Sequence, residues 1–421
     1  MENIDRVPDL DPELKKRYIG EAKVLRAYNY YELYTKFGDV PYTTKVLSIK
    51  ESMSIARTAK ATVIANVLAD LDEVINGNYL PTSYDADNKG RITRWAAMAI
   101  KAKIYLFEGN WTQVKNITST IMTEGGFKLF GSYAGLFEIA NEYNSEVILD
   151  AQYRPTSREH QMMYVFLPPT LGGYSQLSPL QELVDSYIML DGKTIKETGT
   201  SFDESHPYAN RDPRLKATVM YTGNSYTLAD GTEVVINCEK GEGKDGYGVG
   251  SDCSATGYYI KKYWDNTYRA TLYSGLNPIL IRYADILLMN AEALAELGEL
   301  DKTAWDATIK PIRDRAGFTL ASALEFPEGA SKDKLIEIVR NERRSELALE
   351  GHRHKDIIRW RIADNVLNGW CHGLKTNDVV GTDDGYVRVE NRTFNANRHY
   401  LWPIPQAERD LNGNLEQNPN W

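Results

Sequence analysis

A helix–turn–helix pattern rich in small residues occurs twice in this 421-residue chain, and it restricts the fold to packed helix pairs. The first copy spans about 95–122 and turns at Gly109, and the second spans about 283–315 and turns at Gly298. Repeated alanines in the first helix of each copy allow close helix approach. A unit of roughly 34 residues is typical of tetratricopeptide-like packing, with a generic helical hairpin as the alternative.

Other segments extend this picture. Apolar residues at helical spacing predict helices through Val24 to Tyr34, ending at Gly38, and through Ile64 to Ile75, ending near Gly77. Between about 155 and 278 the helical period weakens, and we predict short strands at 233–237 and 257–264. A second irregular stretch runs from about 364 to 398. Long loops on a rigid scaffold are where binding residues tend to lie.

The fold class predicted is therefore mainly α, with helix pairs, long irregular loop insertions and a few short strands. We expect a single domain over 1–421. It would consist of N-terminal helix pairs in 1–150, a loop-rich insertion in 151–278, and C-terminal helix pairs with a tail in 279–421.

Composition narrows the classes of partner. A net charge of −9 argues against nucleic acid and anionic lipid. The chain has 27 Tyr and 8 Trp but only 10 Phe, and rings with a polar tip suit wet binding surfaces, although core packing is the alternative for any one of them. No apolar run approaches the ~20 residues of a membrane span, and no signal peptide is visible near Met1.

The three cysteines fit no zinc or CxxC spacing. Cys238 and Cys253 could form a disulfide in an oxidising compartment, leaving Cys371 free, or all could be buried thiols. The sequence leaves both alternatives open.

Three motifs resemble known binding sites, but each lacks a feature that such a site requires. The glycines of 241–246 match GxGxxG, but no helix begins there to face a pyrophosphate. The run 85–90 resembles the start of an EF-hand loop, yet Lys89 occupies a ligand position. His352 and His354 are two residues apart and do not share a helix face. We therefore predict no metal site and no cofactor.

Glu342, Glu346 and Glu350 recur every four residues, with Arg343 and Arg344 between them. Such carboxylates could suggest a glycosidase pair. Because arginines are at hand to neutralise them, an ion-paired network that holds the last helix to its neighbours is the better interpretation. No catalytic residue is predicted.

Nine sequence strings in a fixed order show a resemblance. They are EAKVLRAYNYYELYTKFGDVPY (21–42), RITRWAAMAIKAKIYLFEGNW (91–111), LVDSYIMLDGK (183–193), NRDPRL (210–215), IRYADILLMNAEAL (281–294), IRDRAGF (312–318), NERRSELALEGHRHKDIIRW (341–360), YLWPIP (400–405) and QNPNW (417–421). Together they resemble the SusD/RagB family of Bacteroidetes nutrient-binding outer-membrane lipoproteins, over nearly the whole chain.

The resemblance implies a SusD-like fold and a non-enzymatic protein of the cell surface. It would bind glycan by stacking sugar rings on aromatic side chains and deliver it to a SusC-like TonB-dependent transporter, which it would cover like a lid. It also implies that a signal peptide, a lipid-modified cysteine and the first helices precede this chain, so that any membrane attachment would be through that anchor.

Aromatic residues in the irregular stretches are the candidates for glycan binding. The leading candidates combine stacking faces with hydrogen-bonding groups within ten residues: Trp264, Asn266, Tyr268, Arg269 and Tyr273. Trp370, with His372 and Asn377, is a second candidate. The alternative is a loop packed on the scaffold. Trp95 and Trp305 lie on predicted helices and are assigned to the core.

Two other functional classes remain open. A helical-repeat scaffold that binds peptide or protein would present an apolar or charged concave helix face. A glycoside hydrolase would present two carboxylates roughly 5–10 Å apart across a cleft. The sequence does not name the glycan.

Overall fold

The computed structural model of the protein describes residues 1, 3–267 and 271–421, and it is mainly helical with small sheets, as predicted. The α-helices are α1 (Pro12–Phe37), α2 (Ile49–Ser52), α3 (Lys60–Asn76), α4 (Arg94–Phe107), α5 (Trp111–Glu124), α6 (Met162–Phe166), α7 (Gln181–Ser186), α8 (Pro213–Thr218), α9 (Tyr283–Leu297), α10 (Lys302–Ala307), α11 (Ile309–Ala316), α12 (Ala321–Leu324), α13 (Lys332–Glu346), α14 (Arg353–Arg359), α15 (Ala363–Val366) and α16 (Gln406–Leu411). The β-strands are β1 (Val147–Asp150), β2 (Val219–Met220), β3 (Ser225–Thr227), β4 (Glu233–Val235), β5 (Tyr259–Ile260), β6 (Ile279–Arg282), β7 (Gly369–Lys375), β8 (Thr382–Asp383) and β9 (Tyr386–Arg392).

The chain folds into two compact units, each assembled from separate stretches. Unit 1 comprises 1–126, 354–367 and 393–421, and unit 2 comprises 127–353 and 368–392. The organisation as one domain with the three predicted segments stays a prediction.

Unit 1 contains the predicted N-terminal helix pairs. The Asp11 carboxylate accepts a hydrogen bond from the backbone N–H of Leu14 at 2.8 Å and so caps α1. The helix ends at Gly38, whose φ of 72° suits a residue without a side chain. Helix α1 packs on α3 and α4, and α4 packs on α5. Their predicted apolar stripes form the core, as the full burial of Val24 and Leu71 illustrates.

Unit 2 contains the second predicted helix pair, in which α9 packs on α10 and α11, and α9 also packs on α13. Asp301 caps the helix after the turn, as expected, by accepting from the N–H of Ala304 at 2.8 Å. The continuous second helix predicted to Arg315 is interrupted, because Thr308 adopts φ −125° and ψ −70° between α10 and α11. Trp305 is buried, as predicted.

The sheets of unit 2 correct two sequence interpretations. The stretch 364–398, predicted to be irregular, contains β7, β8 and β9, which form an antiparallel sheet in the order β7–β9–β8. The predicted strand 257–264 reduces to β5, which pairs with β2, whereas 233–237 does contain β4. Strand β3 pairs with β4, and β1 pairs with β6, which leads directly into α9.

Candidate functional site

The three glutamates that suggested a glycosidase lie inside unit 2 and are ion-paired. Both oxygens of Glu346 are engaged: Arg282 Nη1 lies 2.6 Å from Oε1 and Arg214 Nη1 lies 2.8 Å from Oε2. Arg315 also pairs with Glu346. Both oxygens of Glu350 are likewise held by Arg282, at 2.8 Å each. The predicted ion-paired network is confirmed.

The electrostatics of this network do not suit acid catalysis. Burial on its own would raise the pKa of Glu346, but Arg315, Arg282 and Arg214 outweigh it and hold that pKa well below its usual range. The pKa values of Glu342 and Glu350 are lowered by neighbouring cations in the same way. A glycosidase acid needs a raised pKa, so these carboxylates serve as structural anions.

The partners of the network differ from those expected. Arg343 pairs instead with Asp285 at 2.6 Å, and Arg344 donates to the backbone carbonyl of Glu182. Residues adjacent in a helix point to different faces, so the glutamates are neutralised by cations that other segments of the chain supply.

The other motifs form local turns. Asp85 accepts from the N–H of Asn88 at 3.0 Å and caps a single 3₁₀ turn. Gly241 and Gly243 adopt positive φ in a loop rather than opening a helix. In the described part of the chain, no group of three or more His, Cys, Asp and Glu side chains is arranged to hold a metal ion.

A cleft of about 1140 Å³ opens in unit 2. Its walls come from several separate parts of the chain, which are 202–211, 221–223, 237–242 and 375–378 together with Gln181, Tyr258 and Tyr386. The lining combines aromatic rings with polar and charged groups. A concave site of this size and composition is the default location for ligand binding.

Two tyrosines form the aromatic wall of the cleft. The rings of Tyr208 and Tyr221 stack with centroids 4.0 Å apart and an angle of 18° between them. Tyr208 is fixed by a hydroxyl contact of 3.2 Å with the buried Tyr258, whose own hydroxyl donates to Gln181 Oε1 at 2.5 Å. Tyr221 is half-buried, and within the described residues its hydroxyl makes no hydrogen bond, so that hydroxyl remains available in the cleft.

The floor of the cleft includes a buried guanidinium. Arg211 donates to the backbone carbonyls of Val184, Tyr187 and Pro207, at distances between 2.6 and 3.1 Å. Burial lowers its pKa, opposed by the nearby carboxylates. Val184 lies in α7, Tyr187 directly follows that helix and Pro207 lies in the 202–211 segment, so Arg211 joins the end of α7 to that segment.

Two ion pairs lie at the rim of the cleft. Lys375, at the end of β7, lies 2.8 Å from Glu204 across the cleft mouth, and Lys240 pairs with Asp378. The lining contains four carboxylates and three permanent cations, listed here: Glu204, Glu239, Glu242 and Asp378 against Arg211, Lys240 and Lys375. The cleft therefore does not attract anions strongly.

Trp264, the leading residue predicted from sequence, is half-buried. Its indole Nε1 donates to the backbone carbonyl of Thr227 at 2.9 Å, and its ring meets Tyr226 edge-on with centroids 5.3 Å apart. The polar tip of the indole is thus occupied within the protein, while part of the ring remains exposed.

The remaining residues of that predicted cluster divide into three groups. Tyr273 is 42% exposed, although both of its neighbours in the chain are buried. Asn266 is half-buried. Tyr268 and Arg269 lie outside the described residues. The structure therefore brings Tyr273 to the surface but does not place the cluster in the cleft.

The second predicted cluster is split between two locations. Asn377 lines the cleft. Trp370 lies on β7, where it is 42% exposed and the guanidinium of Arg388 sits 5.6 Å from its ring centroid. His372 is held between Glu182 at 2.8 Å and Asp383 at 3.0 Å.

Sequence reasoning missed most of the cleft and one stacked pair of rings, of which one is exposed and one half-buried. Tyr164 and Tyr174 stack with centroids 4.3 Å apart. The excess of tyrosine pointed to a binding surface, but no local motif marked which tyrosines form it. Of the described candidate residues named from sequence, only Asn377 is in the cleft lining, while Arg211 belongs to the NRDPRL string that carries the family resemblance.

Comparison with known proteins identifies the family. A model described as "SusD family" matches residues 136–421, and one described as "Starch-binding associating with outer membrane" matches residues 1–106. A SusD-like protein P25 of Formosa agariphila is 28% identical over 391 residues, which are 87% of this chain and 68% of that protein.

Similar solved structures support the same family assignment. A SusD-like carbohydrate binding protein of Bacteroides fragilis superposes with a TM-score of 0.87 at 29% identity, covering 99% of this chain and 83% of that one. A second SusD-like protein of the same species gives 0.83 at 28% identity, covering 100% and 83%. The chain belongs to the SusD family, and its fold is the SusD-like fold.

Members of this family are typically associated with the outer membrane and the cell surface. In the described residues, no helix is both long and apolar enough to cross a membrane.

Proposed function

We propose that this protein captures a glycan at the outer face of the outer membrane without cleaving it, and that the cleft of unit 2 is the capture site. The observation that carries the proposal is the stacked pair Tyr208 and Tyr221 in the wall of a polar cleft. Sugar rings present apolar CH groups that pack on aromatic faces, while their hydroxyls need hydrogen-bonding partners. Membership of the SusD family supports the same conclusion.

The charges of the lining favour a neutral glycan over a polyanionic one. Four carboxylates outnumber three permanent cations there, and two of the cations are ion-paired at the rim. Glu239 and Glu242 stand exposed at the mouth of the cleft, where they would repel sulfated or uronic-acid chains.

The residues predicted from sequence stay in the proposal as contacts outside the cleft. We propose that a longer glycan reaches the following aromatic and polar side chains: Trp264, Asn266, Tyr268, Arg269, Tyr273 and Trp370. In the described residues among these, Tyr273 and Trp370 offer the most exposed rings.

Affinity electrophoresis tests the capture proposal. Wild-type protein, Tyr221→Ala and a control are run in native gels that contain plant, host or fungal polysaccharides. The control is Tyr18→Ala, because Tyr18 is an exposed tyrosine of unit 1. We expect at least one neutral polysaccharide to retard the wild type and Tyr18→Ala but not Tyr221→Ala, with all three folded by circular dichroism.

Two results would count against this proposal. Retardation by no polysaccharide would overturn glycan capture and favour the helical scaffold that binds peptide. Retardation that survives Tyr221→Ala would move the capture site out of the cleft.

We further propose delivery to a SusC-like TonB-dependent transporter, which the family membership supports. Co-purification of the protein with such a transporter from outer membranes of its own organism is the expected result. Recovery of the protein alone, under conditions that preserve other outer-membrane complexes, would contradict it.

A further inference from the structure

We propose that Tyr164, Tyr174 and Tyr273 form a second carbohydrate-binding surface, the tyrosine platform, so that the protein binds long glycan chains more tightly than short ones. This inference rests on the proposed function, because it assigns a further role to the same class of ligand. The platform lies in unit 2 but is not part of the cleft lining.

The three rings lie on neighbouring segments of unit 2. Tyr164 and Tyr174 stack with centroids 4.3 Å apart and 30° between their planes. Leu272, next to Tyr273, lies beside Gly172, where an added Cβ would be 3.7 Å from Leu272 Cδ1. Tyr174 is 39% exposed and Tyr273 is 42% exposed, whereas Tyr164 is half-buried. The pKa of Tyr164 is raised, first by a hydrogen bond with Tyr174 and then, among smaller causes, by Asp252 and Tyr273.

The backbone holds Tyr174 outward. It follows a tight turn, since a side chain on Gly173 would come within 2.2 Å of the carbonyl oxygen of Leu167. The N–H of Tyr174 donates to the carbonyl of Tyr164 at 2.9 Å, and the next residue, Ser175, is buried with its hydroxyl bonded to Leu167. The exposure of Tyr174 is therefore imposed by a fixed turn.

Tyr273 is presented in the same way. Leu272 is buried, and Ser274 is fully buried and pairs through its backbone with His160. The hydroxyl of Ser274 donates to Asp265. Between these anchored neighbours only the ring of Tyr273 reaches solvent, so ordering it on binding costs little entropy.

Exposed tyrosines held rigidly are a poor fit to a structural role. A ring kept only for packing would be buried, whereas the rings of Tyr174 and Tyr273 leave apolar faces in water. Three rings also offer less contact area than a stable protein interface needs, since such interfaces bury about 800 Å² per partner. A sugar ring matches both their size and their mixture of apolar face and polar edge.

The platform is structurally connected to the cleft. Asp245 accepts a hydrogen bond from the N–H of Thr170, in the turn between Tyr164 and Tyr174, at 2.7 Å. Asp245 is buried and belongs to the same loop as Lys240 and Glu242, which line the cleft. Where two binding surfaces share one framework, a glycan long enough to contact both binds more tightly than it would bind to either surface alone.

Calorimetric titration with saccharides of increasing length tests this inference. The probes are laminarin, starch and xylan, each with its disaccharide and hexasaccharide, and the proteins are wild type, the double variant Tyr174→Ala with Tyr273→Ala, and Tyr18→Ala. For the saccharide series that binds, we expect the double variant to lose at least about tenfold in affinity for the hexasaccharide or polymer while disaccharide affinity is unchanged. Tyr18→Ala should match the wild type.

A second variant separates stacking from folding. Tyr174→Phe keeps the aromatic face, and it should retain most of the hexasaccharide affinity that the alanine variant loses. If the double variant binds every length as the wild type does, the tyrosine platform is overturned while capture in the cleft stands. If no saccharide binds even the wild type, capture itself has failed, and the two failures are thus distinguishable.

Discussion

The imidazole Nδ1 of His372 lies 2.8 Å from the Oε1 of Glu182, and this contact joins β7 to α7. The backbone N–H of His372 also donates to Glu182 at 3.0 Å. On the other side of the ring, Nε2 lies 3.0 Å from Asp383, which Arg388 also contacts. A ring with both nitrogens against carboxylates is best satisfied as the imidazolium, which donates from both.

This contact predicts a pH dependence of stability. Burial alone would lower the pKa of His372, but hydrogen bonds to Asp383 and Glu182 outweigh it and raise the pKa above that of an ordinary histidine. Because the pKa is raised, the contribution of the His372 contacts to the free energy of unfolding is fully present below the pKa of about 6.5 in the unfolded chain. It is lost as the pH rises through the pKa in the folded protein. Its size is on the order of 1 kcal/mol, because the groups are partly exposed.

Urea unfolding at pH 6 and pH 9 measures this contribution. We expect His372→Gln to be less stable than the wild type at pH 6 and nearly equal to it at pH 9. His206→Gln is the matched control, since His206 contacts a carboxylate only within its own loop, at Asp203. An equal loss at both pH values would mean that the imidazolium does not hold β7 to α7.

The buried ion-pair network of unit 2 predicts that replacing one carboxylate with an amide greatly lowers the free energy of unfolding. Glu346→Gln would leave Arg282, Arg214 and Arg315 short of one negative charge in a dry interior. Removing one partner of a buried ion pair costs about 3–5 kcal/mol. Glu337→Gln is the control, because that side chain is 62% exposed and pairs only at 3.3 Å with Lys334. Urea denaturation of both variants checks the prediction, and similar midpoints would contradict it.

The helices of this fold could be predicted from sequence because their signals are local. The stripe through Val24 and Tyr34 and the cap at Asp301 depend on residues within one or two turns. The β7–β9 pairing depends on partners about 20 residues apart and on a register irregularity after Cys371, so no local period marks it. For the same reason the glutamates were predicted to be paired, but not to pair with Arg214 or Arg282.

The three cysteines provide a third prediction. All are free thiols in the structure, so Cys238 and Cys253 are not bridged. Burial raises the pKa of Cys238 to about 12, and Cys371 is buried with its pKa raised by the same cause. Because the thiolate is the reactive form, we expect Ellman's reagent at pH 8 to modify only Cys253 in the folded protein.

The reaction of the same thiols in denaturant is the comparison for that experiment. Unfolding should make the other two thiols react, and Cys253→Ser should abolish the reaction of the folded protein. Rapid reaction of Cys238 without denaturant would show that the loop after β4 opens far more readily than its burial indicates.

The candidate site was less accessible to sequence reasoning than the fold. The cleft is assembled from segments as distant as Gln181 and Tyr386, and proximity of that kind depends on tertiary packing. Tyr273 could be named as a candidate because it lies among other aromatic and polar residues within ten positions. Tyr164 and Tyr174 could not, because their stacking depends on the turn at Gly173, which composition does not reveal.

Trp264 allows its two proposed roles, packing and glycan contact, to be separated. Trp264→Phe keeps an aromatic face but removes the hydrogen bond from Nε1 to Thr227, which contributes about 1 kcal/mol. Trp264→Ala also removes the packing on Tyr226, and we expect a loss of roughly 2–3 kcal/mol, below the range for a fully buried tryptophan.

Thermal melting and calorimetric titration together distinguish the roles. If the ring contacts glycan, the phenylalanine variant should bind a hexasaccharide nearly as well as the wild type, and the alanine variant should bind it several-fold more weakly at a temperature where both are folded. If the folded alanine variant binds like the wild type, Trp264 stabilises the segment that leads to Tyr273 and does not touch the ligand, because its polar tip is already satisfied within the protein.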